Sequence, residues 1–423
     1  MKYIFIISCI FSCGLSSWAQ GEDERELSLQ KAAHPQLITL ERAINLAQES
    51  NFEYKRVQAR LLKAQSKVWL KTSELLPTLS FQVHRDLKES NSTKAGFMLS
   101  VPLVDAKNIL SSKAEYEALQ AERLNSYFAF EKLIYQVAYL YSEALLAQSA
   151  RDLAQEEQEK FLKNQQMIER KVKLGSARSL DLTSAIYQSN KSASDFYIKE
   201  REYQNSLAKL GAYLGLSETF NLVLFNITSP TLSLPSDTLV SMAQKTSEIV
   251  ALKKELTSSK YNLASAASAF LPTLKASADN YWSWTSKGRD FSNQIMLTLE
   301  LGLFNGGSTF AHIKQHRAEI TINELNLRER EAEKYLSVLG SLDRIATLKK
   351  SRASSELALM AAQQASDSAH RLYSQGAITN LDLKDANLQL FSAKSDLFEA
   401  TLNLVQSQLS LLLLVGKMSD LVK

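Results

Sequence analysis

Three aspartates, Asp181, Asp382 and Asp385, have the residue type and spacing to concentrate negative charge near predicted helix starts. Asp382 and Asp385 are three residues apart on a predicted helix, so their carboxylates share one helix face. The equivalent place in the first half of the chain has Asp181, followed by Ser184 instead of a second carboxylate. Around an assembly axis such carboxylates would attract cations and raise one another's pKa. The alternative is that Asp181 and Asp382 only favour the dipole at a helix start.

Patterns for catalysis or metal binding are weak. His312 and His316 have the i,i+4 spacing of a metal site, but Lys314 and Arg317 beside them would repel a cation. No glycine-rich phosphate loop follows a strand, and no Ser/His/Asp grouping is visible. Lys and Arg total 49 against 45 Asp and Glu, too even a balance for binding nucleic acid through a basic surface. We predict no enzyme activity, no metal, no cofactor and no nucleic-acid partner.

The first residues predict a secretory signal peptide. An apolar run, Tyr3–Leu15, follows a basic start and precedes small residues around Ala19, where we expect cleavage. Cys9 and Cys13 both lie inside this leader, so the mature chain would contain no cysteine. The alternative is that Cys13 is lipidated. Beyond the leader no run approaches the ~20 apolar residues of a membrane-spanning helix, so we expect an exported chain without a helical anchor.

The rest of the chain repeats itself. Leu76-Pro77-Thr78-Leu79 recurs as Leu271-Pro272-Thr273-Leu274, and Leu180-Asp181-Leu182 recurs as Leu381-Asp382-Leu383. Landmarks in the same order at an offset of about 200 residues predict an internal duplication. The predicted organisation is a signal peptide at 1–19, a first repeat at 20–215 with a strand hairpin at about 77–103, a linker at 216–236, and a second repeat at 237–423 with a hairpin at about 272–303.

Long segments without proline and almost without glycine predict helices in each half. The stretch Asn108–Leu174 would measure about 100 Å as one helix at ~1.5 Å per residue. In the last segment, leucine alternates with small residues at heptad spacing, which is typical of helices packed side by side. Gly175 and Gly376 predict tight left-handed turns at helix ends. The small residues Ser176 and Ala377 next to them would let another helix tip approach closely.

The segments between the helices predict strand hairpins. Apolar and polar residues alternate along Gln294–Leu301, and each strand is about as long as the ~9–11 residues of a tilted transmembrane strand. Tyr281, Trp282 and Trp284 lie near a hairpin turn, where an aromatic girdle would lie. A small soluble sheet remains the alternative on this pattern alone. Four strands cannot close a barrel in lipid, so a membrane form needs several copies, and three copies would supply twelve strands.

In this order, the motifs resemble those of the outer-membrane efflux protein family, the TolC-like exit ducts of Gram-negative bacteria. The matching residues are Leu40–Ile44, Leu75-Leu76-Pro77, Val101–Asp105, Gly175 with Leu180-Asp181, Leu301–Gly307, and Tyr373 with Gly376, Leu381 and Asp382. The chain departs from the family pattern at Asp105-Ala106-Lys107, which replaces a glycine pair after the first hairpin.

The resemblance implies a mainly α fold with a membrane β-barrel: a homotrimer with twelve strands, four per chain, in the outer membrane and a helical tunnel in the periplasm. It implies a passive exit duct of a tripartite efflux or type I secretion system, which works with a periplasmic adaptor (a membrane fusion protein) and an inner-membrane pump. The pump would select the cargo. Asp382, Asp385 and Asp181 would form the periplasmic constriction with Tyr373 as a latch, and the tips at Gly175, Ser176, Gly376 and Ala377 would dock the adaptor.

Two other classes of protein are open alternatives. A periplasmic coiled-coil scaffold or adaptor would explain the heptads and the leader but not the paired hairpins. An adhesin or receptor would need longer outside loops than 88–94 and 286–290. A carbonate wash separates a scaffold, which it releases from membranes, from a barrel, which needs detergent.

Overall fold

The computed structural model describes residues 36–85, 93–216, 220–223, 234–285 and 288–421. The predicted signal peptide with both cysteines, most of the predicted linker and much of both hairpin turns therefore lie outside the described residues. The chain divides into two compact units. The first contains the chain up to Asn51, Gln136–Ile227 and Leu348–Gln406, and the second contains Phe52–Tyr135, Thr228–Thr347 and the chain from Ser407. Each unit draws segments from both predicted repeats, whose boundaries stay a prediction.

The elements follow one another as helices, a strand pair and two further helices, in each half. The helices are α1 (Leu40–Ser50), α2 (Phe52–Ser73), α3 (Ala106–Lys173), α4 (Ser179–Leu214), α5 (Ser236–Ala243), α6 (Ser247–Ala267), α7 (Ser308–Ser374) and α8 (Asn380–Leu414). The strands are β1 (Gln36–Ile38), β2 (Thr78–Arg85), β3 (Thr93–Val104), β4 (Phe220–Leu222), β5 (Thr273–Thr285) and β6 (Gly288–Glu300). With 68 and 67 residues, α3 and α7 are the long uninterrupted helices that the scarcity of glycine and proline predicts.

The sequence predicts single helices from Thr39 to about Ser73 and from about Asp237 to Ala269, where glycine and proline are absent, but each segment is broken in two. Asn51 adopts an extended backbone between α1 and α2, where the Ser50 hydroxyl donates to the carbonyl of Leu214, 2.7 Å away. Thr246 is extended as well and begins α6 shortly after α5 ends. The prediction was wrong at these points because a break that a distant contact stabilises leaves little trace in local helix propensity.

The connection from the first hairpin to α3 is as short as one residue. Asp105 accepts hydrogen bonds from the backbone N–H and the side-chain amide of Asn108, both at 3.0 Å. This carboxylate caps the helix, so the chain turns from β3 into α3 without the glycine pair that the family pattern has at this place.

The core of the first unit contains a short parallel strand pair that a tyrosine holds in place. Ile38 of β1 pairs with Leu222 of β4. Tyr141 of α3 is fully buried, and its hydroxyl lies 2.8 Å from the carbonyl oxygen of Ile38 and 2.7 Å from that of Val223. The same hydroxyl accepts from the Val223 N–H at 2.8 Å. One side chain therefore joins both strands to the long helix.

We expect Tyr141→Phe to loosen this strand pair. The change leaves the Val223 N–H and a carbonyl without their partner, which costs about 1–3 kcal/mol where such groups are buried. Hydrogen exchange at Val223 should accelerate correspondingly, with α3 itself unaffected. Tyr127→Phe, on an exposed position of the same helix, is the control. Equal exchange at Val223 in wild type and Tyr141→Phe would contradict the role of the hydroxyl.

The second unit contains an antiparallel four-stranded sheet in the order β2-β3-β5-β6. The register places directly paired residues on the same face, so each face can be read across all four strands. One face is largely apolar: Leu79, Phe81, Val83, Ala95, Phe97, Leu99, Val101, Leu274, Ala276, Ala278, Trp282, Trp284, Phe291, Ile295, Leu297 and Leu299. The other is largely polar, as its rows Ser80–Met98–Asp279–Gln294 and His84–Lys94–Ser283–Asp290 illustrate.

A band of aromatic rings crosses the apolar face. Phe81, Phe97, Trp282 and Phe291 come one from each strand, and successive ring centroids are 5.1, 6.2 and 5.9 Å apart. This is the arrangement that an aromatic girdle requires. Tyr281 does not join it, because it points to the opposite face and pairs with Gly96. A Cβ at position 96 would lie 2.6 Å from the Tyr281 ring, so glycine makes room for that ring.

The outer strands of the sheet are unpaired on one side within the part of the chain that the structure describes. All thirteen residues of β6 are exposed, and Ile295 on its apolar side is 87% exposed. A long, apolar, unpaired edge strand is unfavourable both in water and in lipid. The described sheet therefore ends in two strands, β2 and β6, whose outer edges are places for further strands to pair.

One described helix, α8, is long and apolar enough to cross a membrane by length and composition alone, with a mean hydropathy of 1.3 over eighteen residues. This helix is not a continuous apolar run, because Ser, Thr and Gln separate its leucines, so the expectation of a chain without a helical anchor stays a prediction. The predicted heptad seam accounts for much of this composition: Leu390, Ala393, Ala400, Leu404, Ser407 and Leu411 are buried.

Candidate functional site

The α3–α4 turn at one end of the first unit is a left-handed helix end. Gly175 has φ +72°, and the N–H of Ser176 reaches back to the carbonyl of Lys171 at 2.8 Å. This bond and the Gly175 N–H to Val172 O bond at 3.0 Å satisfy carbonyls that the helix end leaves free. A Cβ at Gly175 would meet no atom within 4 Å, so the backbone conformation, rather than lack of space, requires the glycine.

The α7–α8 turn is built in the same way. Gly376 has φ +75°, and the N–H of Ala377 bonds to the carbonyl of Leu372 at 2.9 Å. Position 376 is as open as position 175. Both turns leave their small residues exposed, so each presents a narrow tip of backbone and small side chains to a partner.

Two side-chain contacts bring these helix ends together. The Lys171 ammonium lies 4.3 Å from the centroid of the Tyr373 ring, a cation–π contact between the ends of α3 and α7. The amide of Asn164 on α3 donates to Asn380 at the start of α8 at 3.2 Å. The tips at Gly175 and Gly376 therefore lie at the same end of this unit.

Two of the three predicted aspartates cap helices. One carboxylate oxygen of Asp382 accepts from the backbone N–H of Thr379 at 2.9 Å and from its hydroxyl at 2.7 Å. These bonds hold the pKa of Asp382 below its usual value. One oxygen of Asp181 accepts from the backbone N–H and the guanidinium of Arg178, both at 3.4 Å. The capping interpretation thus has a geometric basis for both residues.

Asp385 is the carboxylate that capping does not account for. It is exposed and makes no hydrogen bond or ion pair with any residue that the structure describes. Within the same described residues, no hydrogen bond joins Tyr373 to Asp181, Asp382 or Asp385, and the ring instead contacts Lys171. The acidic constriction and the tyrosine latch therefore remain predictions, which depend on neighbouring copies of the chain.

A contact between α3 and α8 in this unit escaped the sequence analysis. The α3–α8 clasp consists of Glu156, Lys160, Phe391 and Lys394. The Lys394 ammonium lies 2.9 and 2.7 Å from the two oxygens of Glu156, and Lys160 lies 3.2 Å from the first. Burial raises the pKa of Glu156, but the bonds from Lys394 and Lys160 outweigh it, so the pKa is lowered. Both lysines also approach the Phe391 ring, at 5.0 and 5.7 Å.

A basic groove lies between α3, α7 and α8 close to the tips. This tip groove has a volume of about 540 Å³, and its described lining contains no acidic residue. Its polar lining residues are Lys160, Lys163, Lys171, Asn164, His370, Ser374 and Asn387. It opens beside the α3–α8 clasp and the Lys171–Tyr373 contact, so any partner of the tips also meets this positive surface.

Within the described ranges, no three or more His, Cys, Asp or Glu residues come together in a way that could hold a metal ion. His316 of the predicted histidine pair is engaged elsewhere, because its Nδ1 lies 2.8 Å from an oxygen of Glu319.

Comparison with known proteins places this geometry in a class. Residues 239–417 match the model of the family described as outer membrane efflux protein. A search of curated proteins finds no match. The CmeC outer membrane channel of Campylobacter jejuni has a similar structure, with 15% identity, a TM-score of 0.77, and coverage of 90% of this chain and 88% of that one.

Two further solved structures have folds similar to that of this chain. VceC of Vibrio cholerae, an outer membrane protein, is 16% identical with a TM-score of 0.77 over 89% of this chain and 96% of its own. The open state of the Neisseria gonorrhoeae MtrE outer membrane channel is 18% identical with a TM-score of 0.74 over 89% and 88%.

The architecture is therefore that of an outer-membrane efflux channel, a class of channel proteins rather than enzymes. Structures of this class are trimeric helical tunnels with a β-barrel. The predicted resemblance and the fold class are confirmed.

Proposed function

We propose that this chain forms, as a homotrimer, the outer-membrane exit duct of a tripartite efflux or type I secretion system. It conducts substrates passively and performs no catalysis. The observation that carries the proposal is the four-stranded sheet with one apolar face and an unpaired strand at each edge. Three such sheets joined β2 to β6 give a closed barrel of twelve strands, with the apolar face towards lipid and the polar face towards the lumen.

The proposed partners follow from the two helix turns of the first unit. A duct without an energy source needs a pump in the inner membrane and an adaptor that joins the two. The exposed tips at Gly175–Ser176 and Gly376–Ala377 are the surfaces that fit a narrow helical partner, and the adjoining tip groove adds positive charge. Asp382 and Asp385, with Asp181, are the carboxylates proposed to line the constriction at this end, next to Tyr373.

Cysteine cross-linking between the sheet edges tests the assembly. Because both natural cysteines lie in the predicted leader, Ser80→Cys on β2 and Thr298→Cys on β6 introduce the only thiols of the mature chain. We expect oxidation in outer membranes to give a ladder that ends at a trimer, with Gln82→Cys as a second β2 position for an altered register.

Each single-cysteine variant is the matched control and should give no trimer. A protein that a carbonate wash releases and that yields only monomers would overturn the barrel and favour the periplasmic scaffold. Purified trimers should also conduct ions in planar bilayers.

A further inference from the structure

A buried carboxylate in the second unit has no hydrogen-bond partner. Glu131, midway along α3, is 1% exposed, and neither of its carboxylate oxygens is hydrogen-bonded to any residue that the structure describes. An isolated buried carboxylate is costly unless it is paired or protonated. The site proposed above does not use this residue, which lies in the other unit.

The neighbouring cations are mostly committed to other acids. Lys334 of α7 is 3% exposed, and its ammonium lies 3.0 Å from an oxygen of Glu248 at the start of α6 and contacts the hydroxyl of Thr246. Arg330 lies 2.6 Å from the other oxygen of Glu248 and also binds Glu333 at 2.8 Å. Lys334 is therefore near enough to affect the titration of Glu131 but forms no ion pair with it among the described residues.

The chain segment after α8 closes over the same carboxylate. A Cβ at Gly416 would lie 3.7 Å from both Glu131 oxygens and 3.2 Å from a methyl carbon of Thr246. Lys417, the next residue, is near enough to affect the titration of Glu131 but forms no ion pair within the described ranges. Four segments thus meet at one carboxyl group: the middle of α3, the start of α6, α7 and the end of α8.

Burial dominates the titration of this group. It raises the pKa of Glu131 from 4.5 to about 7, against the opposing influence of Lys334 and Lys417. The folded chain then binds a proton between pH 4.5 and about 7 that the unfolded chain has lost. The stabilisation from this proton is complete below pH 4.5 and disappears as the pH rises through about 7.

We propose that Glu131 is a proton-binding switch: its carboxyl group, when protonated, tightens the junction of α3, α6, α7 and the end of α8, and its ionisation loosens this junction. Ionisation places an unpaired charge next to Gly416 and draws the ammonium of Lys417 towards it. The second unit is therefore held more firmly in acidic than in alkaline surroundings.

The test compares wild type with Glu131→Gln, which keeps the shape of the carboxylic acid and cannot ionise. Hydrogen exchange of the full-length protein in detergent is measured from pH 5 to pH 8.5, and the two proteins are compared at each pH so that intrinsic exchange cancels. We expect nearly equal protection near pH 5. Because the loss begins near pH 4.5 and is almost complete just above pH 7, wild type should lose on the order of 100-fold in protection relative to the variant between pH 5 and pH 8.5, at the start of α6 and the end of α8.

Two further variants separate protonation from packing. Glu329→Gln, an exposed carboxylate on α7, should follow wild type at every pH. Lys417→Met removes a cation that lowers the pKa of Glu131, so the pH midpoint should move upwards, which a purely structural role would not produce. An infrared band of a protonated carboxyl near pH 6, absent from Glu131→Gln, reports the group directly. A difference between wild type and Glu131→Gln that is the same at every pH, or a midpoint that Lys417→Met leaves unmoved, would overturn the proposal.

Discussion

Ser176→Trp combined with Ala377→Trp should abolish export while the trimer and its membrane insertion stay intact. Both residues are exposed and directly follow the left-handed glycines, so an indole fits there without backbone strain but blocks the approach of a helical partner. In a deletion strain complemented with the variant, resistance to the toxic compounds that this strain fails to export should fall at least ~10-fold, the equivalent of 1.4 kcal/mol of binding or more.

Two kinds of control variant accompany this prediction: small substitutions within the turns, and a tryptophan placed away from them. Gly175→Asn and Gly376→Asn retain a residue that tolerates the left-handed conformation, so export should be largely preserved. Arg201→Trp places the same indole on an exposed position of α4, away from the turns, and should export normally. Unchanged resistance in the double tryptophan variant would show that the tips do not dock a partner.

Asp382→Asn combined with Asp385→Asn should reduce cation selectivity and relieve block by multivalent cations added from the periplasmic side. In a trimer the two positions supply six carboxylates, and removing them eliminates a concentrated negative charge from the constriction. In planar bilayers the reversal potential under a salt gradient should move towards zero, and the blocking concentration of a trivalent cation should rise by at least ~10-fold.

The effect of Asp382→Asn combines a loss of charge with a weaker helix cap, and Asp385→Asn serves as the control that changes charge alone. Asp382→Asn also weakens the cap with Thr379, whereas Asp385→Asn alters a residue without a described partner and so tests charge alone. Thr379→Val removes the hydroxyl from the cap with Asp382 and keeps every carboxylate. If Asp385→Asn leaves selectivity and block unchanged and Asp382→Asn only matches Thr379→Val, these residues cap helices and form no acidic ring.

Structural features that depend on local sequence patterns were predictable from the sequence. The strands followed from alternation along Gln294–Leu301, the helix ends from Gly175 and Gly376, and the packed seam of α8 from its heptads, because each depends on neighbours within a few residues. The duplication added an independent check, since each half carries the same order of elements. Together these signals were sufficient for the fold class.

Features that depend on distant residues were not predictable. Lys394 bonds to Glu156, 238 positions away, and nothing in the local pattern of either helix distinguishes this pair from solvated charges. The break at Asn51 is likewise stabilised by a bond from Ser50 to Leu214. Glu131 looks like an ordinary polar position on a long helix, and its burial depends on distant segments, among them α7 and the chain around Gly416.

The unpaired edges of the sheet also determine how such a duct is made. A barrel built from one chain closes by itself, whereas in the proposed homotrimer β2 and β6 stay open until neighbouring chains pair with them, so the rate of insertion should increase steeply with the concentration of chains. Until then each chain carries an apolar face with Ile295, Leu297 and Leu299 exposed to water, and it is vulnerable to aggregation during transit. Supply of chains, rather than folding of any one of them, then limits how many ducts a cell completes.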